Sequence, residues 1–144
     1  MIRVLIADDH IVVREGLARI LTSSGDIEAA AMASSGASAL DLIRKKDFDV
    51  VLMDMSMPGM NGLDALKQIK AERPDLPVLL LSMHPEDQYA LRCIKAGASG
   101  YLNKAGEKTE LLTAIRRAAD GKKFITPAVS ECIASQIQEN GEEE

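Results

Sequence analysis

Cysteine and histidine are scarce in this chain of 144 residues, with two of each. Cys93 and Cys132 fall in different expected helices. That placement favours buried thiols over a disulfide and suits a reducing compartment. His10 and His84 are far apart, and no Cys/His spacing of a zinc site occurs. Long apolar runs are missing too. The N-terminus M-I-R-V-L-I-A-D-D meets acids before a signal-peptide core can form. No segment approaches the roughly 20 apolar residues that span a bilayer. No membrane role is expected, and the cytoplasm is the expected location. Positive charge is in deficit, with a net charge of −5 and a pI of about 5.1. An acidic domain is a poor binder of nucleic acid by itself. Neither a P-loop nor a glycine-rich dinucleotide fingerprint occurs, which argues against nucleotide binding. Internal repeats and low-complexity blocks are absent. The length suffices for one domain with a proper core.

The stretch from Val50 to Gly62, V-V-L-M-D-M-S-M-P-G-M-N-G, organises what is there. Val50 to Met53 form an apolar run too short for a helix, so they read as a strand buried on both faces. Asp54 ends the run. Pro58, Gly59, Asn61 and Gly62 then build a turn. Leu63, Leu66 and Ile69 follow at helical spacing. Asp54 is thereby placed at the carboxyl end of a central strand, the edge at which open α/β sheets bind ligands.

The same alternation runs along the rest of the chain. Ile2 to Ala7 reads as a first strand, closed by Asp8 and Asp9. Val13, Leu17, Ile20 and Leu21 mark a helix to about Thr22. Ile27 to Ala33 is a weaker, alanine-rich strand. Ser35 or Ser38 caps a helix whose core face is Ala39, Leu40 and Ile43. Val78 to Leu81 is a strand ended by Ser82. Pro85 suits the first turn of the next helix, and Gly97 suits its end. Gly100 to Leu102 is a short last strand, followed by Asn103 and Lys104. Leu111, Leu112, Ile115 and Ala118 mark a fifth helix, stopped by Gly121. The pattern is βα repeated five times. Right-handed crossovers make this an α/β fold, a doubly wound five-stranded parallel sheet with helices on both faces. Beyond Gly121, Phe124, Ile125 and Pro127 read as an extended link. Val129, Ile133 and Ile137 predict a short helix, and Gly141 to Glu144 an acidic disordered end.

The polar residues at strand ends then gather on one rim: Asp8, Asp9, Asp54, Ser82 and Lys104. Three carboxylates so close repel one another unless a cation sits between them. Hard oxygen donors without His or Cys favour Mg²⁺, Mn²⁺ or Ca²⁺ over zinc. A partly hydrated Mg²⁺ calls for a further anion, commonly phosphoryl oxygen, which Lys104 and the Ser82 hydroxyl could also hold. Asp54, central on the rim, can act as a nucleophile toward phosphorus, giving a labile acyl phosphate.

These motifs resemble the receiver domain of two-component response regulators, from Ile2 to about Gly121. The resemblance lies in Asp8-Asp9, the M-D-M-S-M-P-G-M-N-G loop, L-S-M-H with Ser82, and G-A-S-G-Y-L-N-K ending at Lys104. The phrases A-D-D-H-I-V-V-R-E-G-L and K-A-G-A-S-G-Y-L are similar to regulators with a C-terminal LuxR-type helix-turn-helix, and G-K-K-F-I-T-P-A-V-S to their linker. The resemblance implies the flavodoxin-like receiver fold with strand order 2-1-3-4-5. It implies Asp54 as the phosphoacceptor. Asp9, Asp54 and the Ser56 backbone carbonyl would bind Mg²⁺ directly, with Mn²⁺ as a substitute and Asp8 acting through water. Ser82 and Lys104 would grip the phosphoryl group, and Tyr101 would swing from exposed to buried. The implied partners are a cognate sensor histidine kinase and a second copy of the phosphorylated chain. DNA would be met only through a C-terminal domain absent here. The expected division is a receiver over residues 1–121 and a linker over 122–144. Many receivers carry proline after the lysine, where this chain has Ala105. With no DNA-binding domain following, the chain is either a piece of a longer regulator or a single-domain one.

Each residue alone has a plainer reading. Asp8-Asp9 could cap a helix, Ser82 could be a solvated loop residue, Lys104 a surface charge, and Tyr101 a half-buried strand residue. The constellation decides for the site. A haloacid-dehalogenase-like phosphatase wants a second Asp two positions after the nucleophile, where Ser56 stands. A flavodoxin-like electron carrier would have its phosphate repelled by Asp8 and Asp9. A degenerate receiver that only docks partners is the non-catalytic alternative, and the full acidic set argues against it. The chain is expected to catalyse its own phosphorylation and dephosphorylation as a regulator, not as a metabolic enzyme.

Overall fold

The computed structural model describes residues 1–83 and 89–143. Five strands form its sheet: β1 (Ile2–Ala7), β2 (Ile27–Ala33), β3 (Val50–Asp54), β4 (Val78–Ser82) and β5 (Gly100–Asn103). All pairings are parallel, in the order β2-β1-β3-β4-β5. This is the strand order implied by the sequence motifs. The helices are α1 (Ile11–Ser23), α2 (Gly36–Lys45), α3 (Gly62–Glu72), α4 (Tyr89–Lys95), α5 (Lys108–Ala119) and α6 (Pro127–Glu143). The expected helix start at Pro85, and the loop residue His84, lie outside the described residues.

Alternation along each strand sends side chains to opposite faces. Leu5, Val51, Met53, Val78, Leu80 and Tyr101 join one buried cluster with α2, α3 and α4. Val4, Ile6, Val50, Leu52, Leu79 and Leu102 join the other with α1 and α5. Every residue of β3 and β4 is buried, which explains the apolar runs Val50–Met53 and Val78–Leu81 that precede their polar last residues.

Local signals fix the helix ends. The Ser35 side chain accepts from the Ser38 amide at 3.1 Å and caps α2. The Asn61 side chain accepts from the Asp64 amide at 2.9 Å and caps α3. Gly97, at φ +106°, takes the left-handed conformation that stops α4.

The C-terminal segment departs from its sequence reading. Phe124 makes a parallel bridge to Gly100, and its amide donates to Ser99 O at 2.7 Å. Pro127, expected in an extended link, instead opens α6, where its missing donor costs nothing. Thr126 precedes it, and its hydroxyl accepts from the Val129 amide at 3.2 Å. The helix is also longer than expected, with 17 residues that include Gly141–Glu143 of the expected disordered end. Packing supplies the reason. Val129 is fully buried in the core cluster and Ile133 packs against it, which seats α6 on α4. Among the described residues, no helix is long and apolar enough to cross a membrane.

Candidate functional site

Parallel strands end on one edge, so the residues that close them meet there. Asp54 is the last residue of β3, in register with Leu81 of β4, and only 3% exposed. Asp8 follows β1, is fully buried, and bonds through its amide to Ala33 O at 3.0 Å. Ser82 closes β4 and is buried. Lys104 follows β5, and its amide donates to Ser82 O at 2.8 Å. Its side chain runs back along the rim. Lys104 Nζ lies 2.7 Å from Asp8 Oδ2 and 3.1 Å from Asp54 Oδ2. Asp9 lies beside them with a partly buried side chain.

Backbone amides hold the remaining carboxylate oxygens. Asp8 Oδ1 accepts from the His10 amide at 2.8 Å. Asp54 Oδ1 accepts from the Ser56 amide at 3.2 Å. Ser56 itself is exposed in the loop after β3. The start of α3 presses on that loop. The Gly62 amide donates to Met55 O at 2.9 Å, and a Cβ at Gly62 would stand 2.6 Å from Asp54 O. Only glycine admits so close an approach.

The charges are strongly coupled. Burial raises the Asp54 carboxyl above its ordinary value, and the negative charge of Asp8 adds to this. Lys104 and the Ser56 amide act the other way without cancelling it. For Lys104, burial favours the neutral amine, but the Asp8 and Asp54 carboxylates outweigh burial and raise its pKa.

One ammonium does not satisfy this many acids. Asp8 Oδ2, Asp9 Oδ1 and Asp54 Oδ2 are buried and accept no directed hydrogen bond. Lys104 and His10 stand within ion-pair distance of them. Buried acceptors of this kind are costly. Oxygens clustered with surplus negative charge are the donor set of a hard divalent cation, so the residues fit such an ion.

The structure thus brings together Asp8, Asp9, Asp54 and Lys104, with Ser82 at the adjoining strand end. Tyr101 differs from its expected exposed starting position, being fully buried. It alternates with Leu102 on β5 and falls in the cluster containing Cys93, Ala98 and Val129. Three neighbours were not assigned to the site from the sequence. The Arg14 guanidinium donates to Asp8 O at 2.6 Å, one turn into α1. Gly62 was read only as a turn former. His10 groups with Asp8, Asp9 and Asp54 in one set of candidate ligand atoms. Its adjacency to the acidic pair was the available signal.

Known proteins with these features can now be compared. Residues 4–116 match the response regulator receiver domain family. The response regulator UvrY of Escherichia coli is 40% identical over 139 residues, 96% of this chain and 64% of UvrY. The response regulator GacA of Pseudomonas aeruginosa is 37% identical over 134 residues, 93% of this chain and 63% of GacA. The chain therefore spans somewhat under two thirds of these relatives. A LuxR-family two-component response regulator from an Aurantimonas species superposes with a TM-score of 0.87 at 32% identity, covering 93% of this chain and 96% of that one. The isolated receiver domain of RcsB from Salmonella enterica, solved with phosphomimetic beryllofluoride, gives 0.81 at 28% identity, covering 92% and 98%. Sheet order, rim chemistry and these matches agree, and the chain belongs to the response regulator receiver domain family, similar within it to the LuxR-type regulators.

Proposed function

We propose that this domain takes a phosphoryl group onto Asp54 from the phosphohistidine of a sensor kinase and relays it as a change of shape. The observation that carries the reading is Lys104 Nζ set between Asp8 Oδ2 and Asp54 Oδ2, at 2.7 and 3.1 Å, on a rim of under-satisfied carboxylates. Asp9, Asp54 and the Ser56 backbone carbonyl would hold Mg²⁺, or Mn²⁺ in its place, with Asp8 acting through water. When bound, the ion supplies neutralising charge to the phosphoryl oxygens.

In the transfer, an Asp54 carboxylate oxygen forms a bond to phosphorus as the bond from phosphorus to the donor imidazole nitrogen breaks. That nitrogen keeps the electron pair. Lys104 exchanges its carboxylate contacts for a phosphoryl oxygen, and the Ser82 hydroxyl donates to another. Hydrolysis reverses the charge change: water attacks phosphorus, phosphate leaves, and the Asp54 carboxylate returns.

The output follows from the same groups. Tyr101 serves as the switch, its inward position secured when Ser82 turns to the phosphoryl group. In the phosphorylated state the α4-β5-α5 face pairs with a second copy. Residues 1–121 form the receiver and 122–144 the linker to an output domain, through which a longer regulator would meet DNA in the cytoplasm. Relatives support this: DegU of Brevibacillus brevis is a transcriptional regulatory protein, 36% identical over 137 residues, and RcsB has been solved on DNA.

Beryllofluoride binding tests the reading against a domain that only docks partners. Binding that requires Mg²⁺ is expected, and no binding would refute the phosphoryl site. Sedimentation with and without both reagents tests the pairing. A chain monomeric at high micromolar concentration in both states would refute it.

A further inference from the structure

His10 stands at the mouth of the carboxylate rim, between β1 and α1. Its place there is not that of an ordinary helix cap. The residue occupies the N-cap position of α1, yet its side chain makes no capping hydrogen bond. The imidazole turns back toward the acids instead. Nδ1 lies 3.0 Å from Asp9 Oδ1 and 3.3 Å from Asp8 Oδ1. The side chain is 65% exposed, so burial does not force this orientation.

These are hydrogen-bond and ion-pair contacts of an Nδ1–H, and once that proton leaves, the same spacing suits two donors sharing one ion. Adjacent ligands on an octahedral cation with bonds of about 2.1 Å stand roughly 3 Å apart. Asp9 Oδ1 and His10 Nδ1 are already so placed. The ligand atoms offered by Asp8, Asp9, His10 and Asp54 all lie within 4.8 Å of one another. A second observation points to a ligand. Asp8 Oδ2 and Asp54 Oδ2, on residues 0% and 3% exposed, are aimed into the same space, where the Lys104 ammonium at 2.7 and 3.1 Å is, among the described residues, the one cation shared between them.

We propose that His10 is a further donor to the divalent ion, through Nδ1, and that it biases this site toward Mn²⁺ over Mg²⁺. Imidazole nitrogen suits the later first-row ions, whereas Mg²⁺ favours oxygen and keeps its waters. An all-carboxylate rim has little reason to discriminate between the two. One imidazole on the open side supplies the reason. The inference rests on the metal-site reading above and adds a nitrogen donor to it.

Binding of Mn²⁺ followed by electron paramagnetic resonance, with Mg²⁺ as competitor, tests it in the wild type, His10→Ala, His10→Gln and Asp9→Asn. The wild type is expected to show nitrogen coupling to bound Mn²⁺. Both His10 variants should lose that coupling and roughly tenfold in the preference for Mn²⁺, while keeping Mg²⁺ affinity within about twofold. His10→Gln retains a polar side chain at this position, so its agreement with His10→Ala assigns the effect to the imidazole nitrogen. Absent nitrogen coupling, or an unchanged ratio of the two affinities, overturns the proposal. Equal losses for both ions also overturn it, since His10 would then only position Asp8 and Asp9. Retention of both ions by Asp9→Asn would instead defeat the metal-site reading.

Discussion

Lys104 Nζ meets Asp8 Oδ2 at 2.7 Å, although the two residues follow strands that do not touch. β3 and β4 lie between β1 and β5 in the sheet. The contact therefore crosses the whole rim above Asp54. It places an ammonium where a divalent ion would also neutralise charge.

Removing that ammonium should expose the repulsion it masks. Lys104→Ala is expected to lower stability by about 1–3 kcal/mol without divalent ions, because buried carboxylates lose their counter-charge. Mg²⁺ should then stabilise the variant more than the wild type. Urea unfolding with and without Mg²⁺ measures both. Equal Mg²⁺ effects in the two proteins would remove the ammonium from this role.

Gly62 should tie the fold to the chemistry. Its Cβ would meet Asp54 O at 2.6 Å and Met55 Cα at 2.8 Å, both backbone atoms that cannot turn aside. Gly62→Ala is expected to cost about 1–3 kcal/mol, as overpacking does. It should also slow phosphorylation by displacing Asp54. Unfolding midpoints and acetyl phosphate labelling rates check the two effects. A variant of wild-type stability would mean that α3 yields freely.

The division of labour between sequence and structure is visible at these positions. The strands were legible because β3 and β4 are apolar up to their last residues, and parallel pairing followed from the βα rhythm, while the strand order came with the family resemblance. Asp8, Asp9, Asp54, Ser82 and Lys104 were legible because each closes a strand. His10 was not, because local sequence does not say which way an exposed imidazole turns. The fully buried Tyr101 was hidden for a related reason. Val129 and Cys93 share its cluster, and the chain reaches α6 past the bridge at Phe124. Pro127 reads equally as a link or as a first helical residue, and the packing of Val129 settles it.

That bridge makes its own prediction. A Cβ at Gly100 would stand 2.5 Å from Phe124 O and 2.9 Å from Leu79 Cδ2. Gly100→Ala should therefore detach the segment after Gly121 and loosen α6. Hydrogen exchange at the Phe124 amide, bonded to Ser99 O at 2.7 Å, should quicken at least tenfold, a loss of about 1.4 kcal/mol of local protection. Unchanged exchange would show that α6 is held without the bridge.

Acid titration isolates a different contact. Arg116 grips Asp26 with Nε at 2.8 Å and Nη2 at 3.0 Å. This guanidinium is the main reason that Asp26 falls from 3.8 to about 2. A depressed folded pKa gives stability that is present above the unfolded value. It is lost as pH falls from near 3.8 through about 2. The pair is exposed, so the stability gained is small. Carboxyl NMR should show Asp26 titrating near 2, and clearly higher in Arg116→Ala. An unmoved midpoint in that variant would assign the shift elsewhere.

The central claim is that Asp54 is the phosphoacceptor, and intact mass after acetyl phosphate treatment tests it most directly. The wild type should gain the mass of one phosphoryl group when Mg²⁺ is present and none when it is chelated, and Asp54→Ala should gain none in either case. Equal gains in wild type and Asp54→Ala would contradict the assignment.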